Sequence, residues 1–299
     1  MIAIIHHGGC VDGTTAAWVA WDAMGRGVSE PIRIIPAAYN MPLPEFTERP
    51  RATLVVDFSW PYEQMLELAE RTDDLMLLDH HKTALDDIGP HADPGASASD
   101  IEIGLRTYGD CRFVAQLDME RSGAMLTWNW FHRADPPALV QYVQDRDLWR
   151  WELPHSREIG SLLLTAGETV EEIEEFAQLT GAELIQRGRG AHAFELAAVR
   201  SVLKNAYWCT MVAPDGERRD FPIFASPYIL GSTACEQLIE REGSKMAGYF
   251  IERTDGKTQY GFRGHLVNEW AERFPGGGGH PSAAGCTIDG PPVHMRIAS

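Results

Sequence analysis

The chain has 299 residues, 44% of them hydrophobic and 23% charged, with a net charge of −17 from 26 Lys and Arg against 43 Asp and Glu. That is the composition of an ordinary globular protein, one large domain or two smaller ones, with material for a sizeable core. The charge disfavours tight nonspecific binding of long nucleic acid, which depends on many phosphate contacts, but not a small phosphorylated ligand held by a few local donors or an ion. No apolar run approaches the roughly 18 residues needed to cross a bilayer, so no membrane partner is expected. Cys10, Cys111, Cys209, Cys235 and Cys286 are odd in number, widely spaced and free of any CxxC pair, which argues against a disulfide framework or zinc knuckle.

Residues 1–6 carry no basic leader and only a short apolar stretch. They read as a first strand rather than a signal peptide, which makes a cytoplasmic location the expectation. Three short apolar runs, 2–5, 54–56 and 75–78, suit strands buried on both faces of a parallel sheet, and a fourth, 32–35, is broken only by Arg33. Helical segments separate them. Residues 14–24 place Trp18, Trp21 and Met24 on related faces and stop at Gly25, and 62–71 lies between the later strands. This alternation predicts βαβ units with right-handed crossovers.

The middle of the chain reads as helices at 122–132, at 137–143 and from about 170. In the last, Glu168, Glu171, Glu172, Glu174 and Glu175 read as a solvated face. Residues 182–206 form a long Ala-rich helical candidate with Gly188 and Gly190 as weak points. Strands are then predicted at 207–212 and 221–225, a helix at 233–241, and a hairpin of 246–252 and 258–263 about Asp255-Gly256. The expected architecture is α/β: a parallel-sheet domain over 1–180, a long helical connector over 181–206 and a smaller α/β domain over 207–299.

Three of the apolar runs end in ligand chemistry. They lead into His6-His7-Gly8-Gly9-Cys10-Val11-Asp12-Gly13, Asp57-Phe58-Ser59 and Asp79-His80-His81-Lys82-Thr83. In open α/β sheets, sites collect beyond the carboxyl ends of the strands, so parallel neighbours would bring these clusters together. Carboxylate with imidazole suits Mn²⁺, Mg²⁺ or Zn²⁺. A shared Asp could bridge two such ions about 3.5–4 Å apart. Asp57 taken alone also reads as a helix cap, and Cys10 as a small packed residue in a turn. Near the C-terminus, Gly276-Gly277-Gly278-Gly279-His280 runs into Pro281-Ser282-Ala283-Ala284-Gly285. Glycines allow backbone N–H groups to approach a phosphate, and the His can donate to its oxygens. The bland alternative is a flexible linker.

Asp79-His80-His81 resembles the signature of the DHH phosphoesterase superfamily. Gly277-Gly278-Gly279-His280 with Ala283-Ala284-Gly285 resembles the GGGH…AAG motif of its DHH-associated C-terminal domain. Motif order and separation match over nearly the whole chain, and residues 143–150 resemble a DRDLW segment of a nanoRNase-like, oligoribonuclease branch. The resemblance implies a hydrolase using two divalent metal ions, manganese first, with magnesium or another transition metal open. It implies metal ligation by His6 or His7, Asp12, Asp57 as the bridging carboxylate, His80, and Asp145 with Asp147 in reserve. His81 would approach the substrate phosphate. Arg263, His280 and the glycines Gly277, Gly278 and Gly279 would grip the substrate as the two domains close on it. Ser122-Gly123-Ala124 resembles a helix start beneath the site and is assigned no chemistry. One position departs from the pattern: Cys10 stands where the family usually has an acid. A thiol is a softer ligand that must lose its proton, which a metal promotes.

The expected substrates are small nucleotides, namely short oligoribonucleotides, 3′,5′-bisphosphonucleotides or cyclic dinucleotides, with no long nucleic acid and a homodimer left open. A manganese-dependent pyrophosphatase shares the DHH domain but carries a different second domain. A RecJ-like single-strand exonuclease is disfavoured by the charge and the chain length. A nucleotide-binding sensor with impaired catalysis is favoured only by Cys10.

Overall fold

The structure is a computed structural model that describes residues 1–25, 30–39, 41–91, 101–108 and 111–297. It divides into two compact units, Met1–His192 and Ala193–Ser299. The first opens with β1 (Ile2–His7), α1 (Val11–Gly25), β2 (Ile32–Ala37), β3 (Ala52–Val56), α2 (Tyr62–Glu70), β4 (Asp74–Asp79) and α3 (Lys82–Ile88). It continues through β5 (Ile101–Tyr108), β6 (Cys111–Leu117), α4 (Gly123–Phe131), α5 (Ala138–Asp147), α6 (Ser156–Leu163) and α7 (Val170–Ala177). The sheet order is β2-β1-β3-β4-β6-β5, with five parallel strands and β5 antiparallel at the edge. The α/β class with a parallel sheet is as expected. The strands β5 and β6 were not anticipated, because β6 alternates buried and partly exposed residues and offers no continuous apolar run.

Alternation along the strands divides the core between the two faces of the sheet. Ile2, Ile4, Leu54, Val56 and Leu78 pack with α1, α4, α5 and α7 on one side. Ile5, Val55, Leu75 and Leu77 pack with α2 and α3 on the other. Both faces are covered, so the strands need apolar residues at every position, which is why they read as unbroken runs. The small buried residues Ala16, Ala17 and Ala20 let α1 lie close against α4. The acidic helix α7 is held by a capping box between Thr169 and Glu172, and its Val170 and Ile173 are buried. Its glutamates are not all solvated, since Glu174 accepts a hydrogen bond from the Trp18 indole N–H.

The expected connector is the single helix α8 (Gly181–Leu203), started by a reciprocal Thr180–Glu183 cap. The unit boundary falls inside it, after His192. Leu184, Ile185 and Ala191 pack into the first unit, while Val199 and Leu203 belong to a core of the second. The second unit adds β7 (Tyr207–Val212), β8 (Arg218–Ala225), α9 (Tyr228–Glu242), β9 (Met246–Glu252), β10 (Lys257–Gly264), α10 (Val267–Ala271), β11 (Gly278–His280), β12 (Ala283–Asp289) and β13 (Met295–Arg296). They form a seven-stranded sheet, β11-β12-β10-β9-β8-β7-β13, in which only β8 and β9 pair in parallel. Phe221, Phe262 and Trp270 fill one face, and Phe224, Tyr249 and Leu238 the other. No helix among the described residues is long and apolar enough to cross a membrane.

Two glycines of α8 look alike in sequence and differ in space. A Cβ on Gly188 would lie 2.5 Å from the Glu158 carbonyl oxygen of α6, whereas one on Gly190 would meet nothing within 4 Å. Gly190→Ala is therefore expected to stabilise the first unit by up to about 1 kcal/mol through helix propensity. Gly188→Ala is expected to destabilise it by about 1–3 kcal/mol through overpacking. Urea denaturation of the two variants checks this; equal shifts of the same sign would contradict the packing.

Candidate metal centre

Strand order reverses at β1, with β2 on one side and β3 on the other. A reversal of this kind opens a crevice beyond the strand carboxyl ends. The register pairs His6 with Val56, and Val56 with Leu78, so His7, Asp57 and Asp79 leave the sheet in one row.

Asp57 is the centre of this row. Its φ of 58° lies in the left-handed region, which a non-glycine residue adopts at a cost of order 1–3 kcal/mol. Its own N–H is held by the Leu78 carbonyl at 2.8 Å. The buried carboxylate places Oδ1 3.0 Å from His80 Nε2 and Oδ2 3.7 Å from His7 Nδ1. These are close approaches without hydrogen-bond alignment, and neither Asp57 oxygen has a hydrogen-bond partner. Two glycines keep the space open. A Cβ on Gly13 would fall 2.3 Å from the His7 carbonyl oxygen, and one on Gly123 would fall 2.4 Å from Asp57 Cβ.

Asp12 sits in the first turn of α1. Its two oxygens accept hydrogen bonds from the backbone N–H groups of Gly123 (2.6 Å) and Ala124 (3.0 Å). These are the first amides of α4, whose N-terminus is capped by the Ser122 hydroxyl. Ser122-Gly123-Ala124 thus anchors a candidate ligand through the positive end of a helix. At the end of β4, Asp79 Oδ1 accepts from the N–H groups of His80 and His81 and lies 2.7 Å from His81 Nδ1. That contact fixes the His81 ring and leaves its other nitrogen for the crevice.

Among the described residues, ligand atoms gather in three overlapping groups: His7, Cys10 and Asp57; Asp57, His80 and His81; and Asp12, His80 and Asp147. Within each group the atoms lie within 4.8 Å of one another. Two pairs of near neighbours are separated here. Of the histidine pair, His7 joins the groups. His6 is buried with Nδ1 3.1 Å from the His7 carbonyl oxygen and belongs to none of them, because neighbouring strand residues face opposite ways. At the end of α5, Asp147 rather than Asp145 reaches the cluster, with Oδ2 3.5 Å from His80 Nε2. Asp145 instead accepts from the N–H of Glu152 (2.9 Å) and from the Ser156 hydroxyl. Two residues on a helix point about 200° apart, so only one of this pair can face the crevice.

The charges do not balance. Burial would lower the pKa of His80, but Asp57, then Asp147 and Asp12, raise it to about 10. Burial would raise that of Asp57, but the His7 and His80 imidazoles hold its carboxyl below the usual range. Burial and the neighbouring Asp57 charge push Asp12 and Asp147 upward, against the pull of His80. Burial, with Asp57, Asp147 and Asp12, pushes the Cys10 thiol well up. Buried carboxylates outnumber the cationic partners, and bound cations would resolve that deficit. The oxygen, nitrogen and thiol donors fit a divalent ion of the Mn²⁺, Mg²⁺ or Zn²⁺ kind.

In the second unit Arg263 is half-buried at the end of β10. Its Nε donates to the Ser232 hydroxyl (3.0 Å), one Nη donates to the Phe262 carbonyl (2.9 Å), and the guanidinium lies 5.7 Å from the Tyr249 ring centroid. The glycine tract is not a loop throughout. Gly278–His280 forms edge strand β11 and pairs with Ala283–Gly285 of β12. A Cβ on Gly277 would fall 2.0 Å from the Ala271 carbonyl oxygen, and Gly279, at φ 140°, lies against Ala283 and Ala284. The protein's own backbone therefore demands those two glycines, while Gly278 faces open space. His280 is exposed, with Nδ1 2.8 Å from the Ser282 hydroxyl.

Sequence reasoning missed the roles of Asp79 and of the α4 amides, which arise only when separate segments meet. It also missed Tyr39, whose ring centroid lies 5.6 Å from His7 and 6.2 Å from His81. A lone Tyr after a strand gives no signal.

No family model matches the chain. Uncharacterized protein R106 of Acanthamoeba polyphaga mimivirus is 28% identical over 166 residues, covering 52% of this chain. The match covers 35% of R106, so it spans about a third of that relative's length. Among solved structures, an exonuclease RecJ bound to manganese is similar at 16% identity and a TM-score of 0.47, over 96% of this chain and 86% of that one. RecJ from Thermus thermophilus, in complex with Mg²⁺, is similar at 14% identity and a TM-score of 0.43, over 96% of this chain and 47% of that one.

The geometry separates two aspartates that differ by two positions on one helix. Asp147→Ala is expected to weaken Mn²⁺ binding by about tenfold or more with little change in stability. Asp145→Ala is expected to keep Mn²⁺ binding and lose about 1–3 kcal/mol, because buried donors lose their acceptor. Isothermal titration and urea denaturation on both variants decide it, and the reverse pattern would restore Asp145 as the ligand.

A second expectation concerns pH. In the metal-free protein Asp57, Asp147 and Asp12 raise the His80 pKa above the usual histidine range against its burial, so near neutral pH a proton competes for a nitrogen that an ion needs. Metal uptake at pH 7 is then expected to release protons, and affinity to rise with pH by about tenfold per unit for each proton displaced. Calorimetry in buffers of different ionisation enthalpy, between about pH 6 and 8.5, measures the release; a pH-independent affinity would contradict it.

Proposed function

We propose that this chain is a divalent-metal-dependent phosphoesterase of the DHH type, hydrolysing phosphodiester or phosphomonoester bonds in small nucleotides. The observation that carries the reading is the buried Asp57 carboxylate. Neither oxygen is hydrogen-bonded, and it stands where ligand groups from three strand ends overlap. Asp57 and His80 each belong to two of the groups, which suits a pair of ions, manganese first. Such ions, when bound, supply positive charge beside a phosphoryl oxygen and bring the pKa of water toward the physiological range.

The protein's own groups do the rest. Asp12, anchored by the α4 amides, and Asp147 hold one flank, and His7 and Cys10 hold the other. His81 has its ring fixed by Asp79. Burial works against its proton, but Asp79 and then Asp57 raise its pKa, so it is suited to donate to a phosphoryl oxygen as charge builds there. Arg263 is pre-oriented by Ser232 and the Phe262 carbonyl, and His280 is an exposed donor; both are proposed as phosphate-binding groups. The net charge of −17 supports a short substrate, since long strands need many cationic contacts.

The test is product analysis with Mn²⁺ against dinucleotides, 3′,5′-bisphosphonucleotides, cyclic dinucleotides and a long single strand. Turnover of a small substrate is expected, falling as oligonucleotides lengthen and abolished in Asp57→Asn. His280→Ala is expected to keep its metal and lose roughly two to four orders of magnitude in rate. Faster processive degradation of the long strand would point to an exonuclease of the RecJ kind. Nucleotide binding with no turnover of any substrate would point to a sensor and overturn the hydrolase reading.

A further inference from the structure

Tyr39 lies two residues beyond the end of β2 and borders the metal centre. Its ring is edge-on to His7 (73°), His81 (85°) and Phe58 (65°), with the Phe58 centroid 5.2 Å away. Yet the residue is 44% exposed. An aromatic ring half in water usually keeps its freedom, but this one is restrained from several sides. Gly8 N–H donates to the Ala37 carbonyl at 2.8 Å, and Met41 N–H to the Ala38 carbonyl at 3.1 Å. The Trp60 indole N–H donates to the Met41 carbonyl at 2.8 Å. Phe58, against which the ring rests, is itself fully buried between His7 and Trp60.

Neither core packing nor metal ligation accounts for a ring so placed. Burial, with the Asp79 and Asp57 charges, pushes the phenol pKa up, so the group stays neutral beside the cluster. The residue is 44% exposed while its ring neighbours include His7 and His81, the groups a phosphate would approach. We propose that Tyr39 is a specificity-determining residue of this site, a preset aromatic surface on which the base of a nucleotide stacks while its phosphate reaches the metal centre. The inference rests on the phosphoesterase reading above. The ring centroid lies 5.6 Å from that of His7 and 6.2 Å from that of His81, near enough for one nucleotide to touch the ring and the ligand groups together. A held ring loses little entropy on stacking, and every base offers a π-face to it, so the surface would select nucleotides over other phosphate esters without selecting one base.

The probes are adenosine 5′-monophosphate and ribose 5-phosphate, which carry the same phosphate and sugar and differ by the base. They are titrated into the Mn²⁺-loaded full chain. The wild type is expected to bind the nucleotide about tenfold to hundredfold more tightly. Tyr39→Ala is expected to bring the ratio close to one by weakening the nucleotide alone. Tyr39→Phe is expected to keep it, and Mn²⁺ affinity to stay unchanged in both variants. Equal affinities in the wild type, or an unchanged ratio in Tyr39→Ala, would overturn the stacking role and leave the phosphoesterase reading standing. A fall in Mn²⁺ affinity in Tyr39→Ala would make the ring a prop for His7 and overturn the proposal. Failure of the loaded wild type to bind either probe would overturn both.

Discussion

A carboxylate taken out of water is among the more expensive things a protein can hold, of order several kcal/mol, unless positive charge is brought to it. Asp57 is buried on a left-handed backbone at the end of a central strand, and the imidazoles of His7 and His80 stand at its two oxygens to offset that cost. Much of the first unit is arranged around that one group. Gly13 and Gly123 are bare because a Cβ on either would collide with it or its neighbours. The parallel register of β1, β3 and β4 brings His7 and His80 to its two oxygens. The α4 amides hold Asp12 alongside, which adds negative charge where negative charge is already in excess. Such a cluster would be stabilised by cations, which is the physical reason it is a candidate metal site.

The same imbalance shapes what the site can take. His80 faces Asp57, Asp147 and Asp12 at 3.0, 3.5 and 3.8 Å, so its nitrogen is contested between a proton and an ion. His81 is separated from that contest by Asp79, which orients its ring. The two adjacent histidines are therefore set differently, His80 among three carboxylates and His81 against Asp79. In a chain of net charge −17, a phosphorylated ligand would depend on local cations and donors rather than on the general field.

The C-terminal tract shows how a motif and its physical cause can differ. A glycine run suggests a loop that lets a phosphate approach the backbone. In the fold, Gly277 and Gly279 are glycines because Ala271, Ala283 and Ala284 crowd them, and only Gly278 faces open space. The run is in part an edge strand. Its composition is explained first by packing, and the part left for a ligand is one residue and the exposed His280.

The α/β class, the apolar strands and the order of the ligand-bearing segments could be read from the sequence alone. Strands covered on both faces must be apolar throughout, and that signal is local. Residues 79–81 stood out for the same reason, as polar groups packed directly behind such a strand. The half-covered β6 lacked the signal and went unread. Which of two near neighbours meets the site was not local information. His6 and His7 are separated by strand alternation, Asp145 and Asp147 by helical rotation, and Gly188 and Gly190 by the nearness of α6. In each pair the residue types are identical, so only the direction each takes in the folded chain distinguishes them. The anchoring of Asp12 by amides 111 and 112 residues away, and the setting of Tyr39 against His7 and His81, are likewise products of tertiary contact. Sequence determined which chemical groups were available and on which elements; the packing of those elements decided which of them face one another.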